Sequence, residues 1–230
     1  MKIQLIKIVA AYLMLANVHL ARSQTFQNLD FEHPVLPFDP LNSRVAATNA
    51  VPGWTPYLLG NPQGDVAYNT VSIGGVQVSL EGLGGPIPIV QGNYSVMLQG
   101  SLGGLPISAG IGQVGQIPIT AQSLMVFGLV GPSDVSFGHD PFPGSHRLEM
   151  DLIGSTDNYN IYQADISMFA GQTGELLFTA NSTYTDIIDN IIFSSSPVPE
   201  PSSTALLALG SLFILSRRSI LTIFQHRKNS

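Results

Sequence analysis

The groups able to do chemistry in this chain are carboxylates, a few histidines and a few aromatic rings, because cysteine is absent. That absence removes thiolate nucleophiles, Cys-type zinc sites and iron–sulfur clusters together. His33, His139 and His146 stand apart, with no His-x-x-x-His or His-Glu spacing that would direct them to one metal ion. There is no Gly-x-Ser-x-Gly, and Ser145 beside His146 is adjacency in sequence rather than triad geometry. Arg147, Glu149 and Asp151 alternate, so on one strand they share a face. Two carboxyls about 5 to 10 Å apart across a cleft would suit glycoside hydrolysis, but nothing in the sequence places a cleft there, and a solvated strand face is the plainer reading. Asp186 and Asp189 lie near the last strand and Glu32 near the first. If those strands pair, the acids converge, and hard oxygen ligands are what calcium takes. Glu32 and Asp189 are therefore the candidate ligands of a structural calcium ion, set against scattered surface acids; no cofactor is otherwise required. Trp54, the only tryptophan, sits between Pro52-Gly53 and Pro56. It is either a core plug or, with Tyr57 and Tyr68 nearby, a stacking platform for a sugar ring.

The elements that must position these groups are strands. Val76 to Leu80, Tyr94 to Leu98, Leu124 to Phe127, Leu148 to Leu152 and Ile187 to Phe193 are β-branched or aromatic, several alternate, and glycine or proline clusters separate them. No stretch reads as an amphipathic helix. Phe26, Leu29 and Phe31 suit a first strand ended by Glu32-His33-Pro34. The expected fold is all-β, an antiparallel β-sandwich over residues 24–196. This region holds two basic residues, Arg44 and Arg147, against fourteen acids, a net charge of −12. Such a domain cannot neutralise phosphates, which excludes nucleic acid and disfavours anionic membrane surfaces, while cations suit it.

Both ends carry other signals. Lys2 and Lys7 precede the apolar segment Ile8 to Ala16, and Ala21 and Ser23 are the small residues a signal peptidase inspects. Residues 1–23 read as a signal peptide cut between Ser23 and Gln24. At the other end, residues 197–230 open with Val198-Pro199-Glu200-Pro201, continue as an apolar run from Thr204 to Leu215 and end in a basic tail with Arg217 and Arg218. The two prolines make the tetrapeptide an extended breakpoint. As a helix the run is roughly 18 Å long, short against a hydrocarbon core of about 30 Å, which suits a temporary transmembrane anchor with its basic end cytoplasmic.

Pro199-Glu200-Pro201, a short apolar segment and the Arg217-Arg218 pair resemble the PEP-CTERM sorting signal of Gram-negative bacterial surface proteins. The resemblance implies an exosortase-type processing enzyme as partner, a transient inner-membrane anchor, and release to the cell surface or extracellular matrix. A second resemblance rests on the order of Asn28-Leu29-Asp30-Phe31-Glu32, Val51-Pro52-Gly53-Trp54, Gly92-Asn93-Tyr94, Gly112-Gln113-Val114-Gly115-Gln116-Ile117 and Asp189-Asn190-Ile191. Those landmarks resemble galactose-binding-like jelly rolls of exported bacterial proteins. They imply eight or nine strands, with the first and last as neighbours. Two functions follow as expectations: a non-catalytic surface or matrix protein that engages extracellular polysaccharide, with Trp54 and Tyr57 as candidate ligand-binding residues, or an exported polysaccharide-acting hydrolase.

Overall fold

A computed structural model describes residues 24–36, 44–71, 75–100, 108–130, 132, 134–138, 145–181 and 185–198. The signal-peptide residue Ser23, the sorting residues Pro199, Glu200, Pro201, Arg217 and Arg218, and the apolar run all lie outside them. No helix among the described residues is long and apolar enough to cross a membrane.

Two sheets pack face to face. The eight-stranded sheet is built from β1 (Arg44–Ala46), β4 (Asp65–Tyr68), β5 (Gln77–Gly82), β6 (Tyr94–Gln99), β14 (Thr185–Ser194), β8 (Ser123–Val130), β12 (Asn160–Asp165) and β11 (Asp151–Ser155), in that spatial order. The six-stranded sheet runs β10 (His146–Leu148), β9 (Asp134–Gly138), β13 (Thr173–Ala180), β7 (Ala109–Gln116), β2 (Thr55–Leu58), β3 (Asn61–Pro62). Among the described residues helix is confined to one turn, α1 (Ala47–Ala50), and a 3₁₀ turn, Ser167–Phe169. The all-β expectation holds. Among the named strands one pairing departs from the antiparallel expectation: β4 runs parallel to β5 through Ala67↔Ser79 and Tyr68↔Leu80. Asn69, at φ 49°, turns the chain there and bonds back to the same strand, donating from its N–H to Leu80 O (3.1 Å) and accepting from Gly82 N at Oδ1 (2.6 Å).

The strand alternation makes the core. On β13, Leu176, Phe178 and Ala180 point inward while Glu175, Leu177 and Thr179 face out. Leu80, Leu98, Ile188 and Leu124 meet them from the eight-stranded sheet. The expected strands at 76–80, 94–98, 124–127 and 187–193 are present as β5, β6, β8 and β14. Three expectations are corrected. Fourteen strands are present among the described residues where eight or nine were implied, because short edge strands extend both sheets. Residues 26–31 form a turn rather than a strand: Asn28 and Phe31 take φ of 48° and 54°, and Gln27 is clamped through its backbone by the Gln113 side chain (2.5 and 2.9 Å). This segment still lies beside the last strand, where Ile191 N donates to Leu29 O (2.9 Å). The run 148–152 is no single strand either. It breaks after Leu148 and crosses from the edge of one sheet to the edge of the other, so Arg147 and Asp151 stand on different sheets and the expected row of charges does not exist.

Candidate functional site

Among the described residues, three concave places lined by polar side chains stand out. The first is a pocket of about 220 Å³ lined by Asp30, Glu32, Gln91, Gly92, Asp189 and Asn190. The turn at Asn28–Phe31 builds one wall, because it drives Phe31 fully into the core, 5.4 Å from the Trp54 ring. Glu32 then emerges over the loop before β6. Its Oε1 accepts from the backbone N–H of Asn93 (2.6 Å) and Tyr94 (3.0 Å), and its Oε2 from Asn93 Nδ2 (2.9 Å). Gly92, at φ +66°, passes under the carboxylate so closely that a Cβ there would overlap Oε1. From the other side Asp189, buried on β14, accepts from Gln91 N (3.1 Å), Ser95 Oγ (3.2 Å) and Asn190 N (2.7 Å). Burial pushes its carboxyl up to about 7, against the pull of those donors, and Glu32 adds to the rise. Glu32 and Asp189 thus converge as the sequence suggested, but their oxygens are turned toward N–H and O–H donors. Among the described residues no group of three or more His, Asp or Glu has a metal-holding arrangement. Asp186 is buried on the same strand and does not line this pocket.

The second place is a trough of about 130 Å³ on the outer face of the six-stranded sheet, between Tyr57, Gly110, Glu175, Leu177 and Thr179. Tyr57 OH donates to Glu175 Oε1 across 2.8 Å. Burial, with the bond and charge of Glu175, pushes the phenol up to about 12. The trough exists because β7 presents glycine on this face: a Cβ on Gly112 would meet Glu175 Oε1 at 2.5 Å and displace it. Trp54 takes no part. It is 4% exposed, its Nε1 donates to Asn28 O (2.9 Å), and its ring meets Phe31 and Phe178. Of the two readings left open by the sequence, the plug is the one realised, and the stacking role for Trp54 is corrected: Pro52-Gly53 turns the chain inward, so the indole faces the core. Tyr68 packs against that core as well. Glu175 was not singled out from the sequence. Its alternation with Leu176 marks it as outward-facing, but nothing local pairs it with Tyr57, 118 residues away.

The third place is a cleft of about 420 Å³ between the edges of the two sheets, where Glu149, Asp151 and Asp165 form the rim and Leu148, Phe169 and Val198 the apolar wall. A cleft beside Glu149 and Asp151 was not expected, and the break after Leu148 creates it. Its acids are those of solvated side chains. The Glu149 carboxylate is 86% exposed, with Arg147 Nε at 3.8 Å. Asp165 accepts from Ser167 N (2.8 Å), which holds its carboxyl below the usual range. Neither has the desolvated surroundings that keep a catalytic carboxylic acid protonated.

Comparison with known proteins adds one specific finding. No curated protein matches the chain. A solved structure, the enzymatically active domain of bacteriophage CBA120 tailspike protein 4, aligns at 14% identity with a TM-score of 0.35, over 62% of this chain and 19% of that one. A likeness that shallow carries nothing over to this chain. By contrast, a protein-family model described as the PEP-CTERM protein-sorting motif matches residues 197–219, beginning two residues before Pro199. Residues 197–219 thus carry a PEP-CTERM protein-sorting motif, which is separated by two residues from the last described strand of a two-sheet β domain.

Proposed function

We propose that the protein is an exported, non-catalytic surface or matrix protein of a Gram-negative-type bacterium, whose β domain binds extracellular polysaccharide and whose C-terminal segment is processed by an exosortase-type enzyme. The observation that carries the export and processing reading is the match at residues 197–219. In this reading a signal peptidase removes residues 1–23 and the apolar run serves as a transient inner-membrane anchor. The domain is a jelly roll of galactose-binding type. Support for that comes from the interleaved strand order, β6-β14-β8-β12 in one sheet and β7-β13-β9-β10 in the other, which is two Greek keys wound together.

The polysaccharide would lie in the trough at Tyr57. An aromatic edge, a carboxylate, a threonine hydroxyl and Leu177 offer a sugar both an apolar surface and hydrogen-bonding partners. Glu175 is the one carboxylate lining the trough, whereas glycoside hydrolysis uses two, which favours binding over cleavage. Calcium is proposed as a structural ion at Glu32 and Asp189: a carboxyl poised near neutrality beside a second acid, with the amide side chains of Gln91 and Asn190 at hand, is an oxygen-rich setting for a hard cation.

The test of the sorting reading is the mass of the exported protein. Replacing Pro199-Glu200-Pro201 by alanines is expected to leave the C-terminal segment attached. An unchanged C-terminus in that variant, or a wild-type product still carrying Arg217-Arg218, would overturn it. For the ligand, a glycan array and a reducing-sugar assay on the exported protein should give binding without sugar release.

A further inference from the structure

The sorting motif begins on the folded domain, not beyond it. After β14 the chain is pinned by Gln122 N to Ser194 O (2.7 Å), Ser196 N to Ser194 Oγ (3.0 Å) and Ser123 Oγ to Ser196 O (2.7 Å). It then lays Val198 into the wall of the cleft between the sheet edges. Pro197 and Val198 already belong to the matched motif, so the folded domain and the sorting segment share residues. We propose that this cleft is a docking surface for the enzyme that processes the Pro-Glu-Pro segment, with Met168 as its anchor; the proposal rests on the sorting reading above.

Chain length is the first reason. Only residues 199–203 separate Val198 from the apolar run at Thr204, and even fully extended they let Thr204 stand at most about 21 Å from Val198. An enzyme that grips an extended peptide along this stretch has no free linker to work with, so its surface meets the domain around Val198. The second reason is what it meets there. Met168 is 66% exposed beside buried Phe169 and Leu148, an adaptable apolar side chain at the mouth of a concave surface. The turn that presents it is rigid. Phe169 N donates to Ile166 O (2.9 Å), Gln172 Nε2 to Met168 O (2.8 Å), and the Phe169 ring is held between Phe137 and His146 at 5.2 and 5.3 Å. A preformed surface of this kind costs little ordering when a partner docks.

The experiment follows conversion of the full-length chain to its processed form in the producing cells, by pulse-chase and C-terminal mass. Met168→Asp should slow conversion about five- to thirtyfold, the loss expected of an interface anchor, while Leu83→Asp, an equally exposed apolar position on the loop after β5, should not. Conversion of Met168→Asp at the wild-type rate overturns the docking surface. Inserting ten Gly/Ser residues between Val198 and Pro199 should separate enzyme from domain and abolish the difference between the wild-type and Met168→Asp chains; a difference that survives the insertion also overturns it. Unchanged Tm of the exported Met168→Asp form ties the slowing to docking, and a lowered Tm together with slowing in Met168→Gln as well as in a buried-core variant such as Phe178→Leu would overturn it as mere misfolding. If the alanine replacement of Pro199-Glu200-Pro201 is itself processed normally, the sorting reading fails, an outcome separate from any result at Met168.

Discussion

Tyr57 and Glu175 meet on the outer face of the six-stranded sheet, hydroxyl to carboxylate at 2.8 Å, over a floor that β7 keeps open with glycine. Their pairing leads to the first prediction. Tyr57→Ala should weaken polysaccharide binding about tenfold or more, the cost of one aromatic contact surface, and Gly112→Val should do so by pushing the Glu175 carboxylate out of place. Tyr57→Phe tests the phenol alone: an ultraviolet pH titration of wild type minus Tyr57→Phe should place one phenolate near pH 12 rather than 10. A difference step at pH 10 would show that the phenol is neither buried nor paired with Glu175 in solution.

Glu32 holds the Gly92–Tyr94 loop through three donors, so its loss should be felt as stability. Glu32→Ala is expected to cost roughly 1.5–3 kcal/mol in urea unfolding, the range for hydrogen bonds to a charged group. Gly92→Ala should cost at least as much, since it combines positive φ with steric overlap at the carboxylate. Near-neutral results for both would remove the clasp.

The raised carboxyl of Asp189 links stability to pH with a definite sign. Between the unfolded value of 3.8 and the folded value of about 7 the native state holds the proton and the unfolded chain does not. Stability from this group is therefore present at acid pH and lost as pH rises to 7, by up to about 4 kcal/mol. Unfolding of Asp189→Asn should lack this share of the slope. Millimolar calcium, if bound at Glu32 and Asp189, should flatten the wild-type decline and raise stability at pH 7.5 relative to chelator; coincident curves with and without calcium would dismiss the ion.

Glu81 is fully buried on β5, opposite Ser95, with the Ser79 hydroxyl two residues away on the same face as the polar group that acts on its carboxyl. Burial raises its carboxyl, so it too contributes less as pH rises. Glu81→Gln cannot ionise, so its stability relative to wild type should be greater at pH 8 than at pH 5, by about 1–3 kcal/mol. An equal effect at both pH values would show that ionisation is not what limits the site.

Much of this was legible along the chain. Alternation at residues 94–98 or 187–193 is a relationship between residues two apart, and the turns between strands are set by a few glycines and prolines, so strand positions and the all-β class follow from local pattern. The Pro199-Glu200-Pro201 motif was legible for a similar reason, since a motif of consecutive residues needs no fold to be recognised. The excess of acids over Arg44 and Arg147 is a matter of counting. Tertiary structure alone decided that Trp54 faces inward, that the 148–152 run splits between two sheets and opens a cleft, that Glu32 and Asp189 close on one loop from opposite sides, and that Tyr57 reaches Glu175. Each of those depends on which strands become neighbours and which of two faces is sealed. That choice is made by packing between residues tens to more than a hundred positions apart, and a period of two is satisfied equally well by either face.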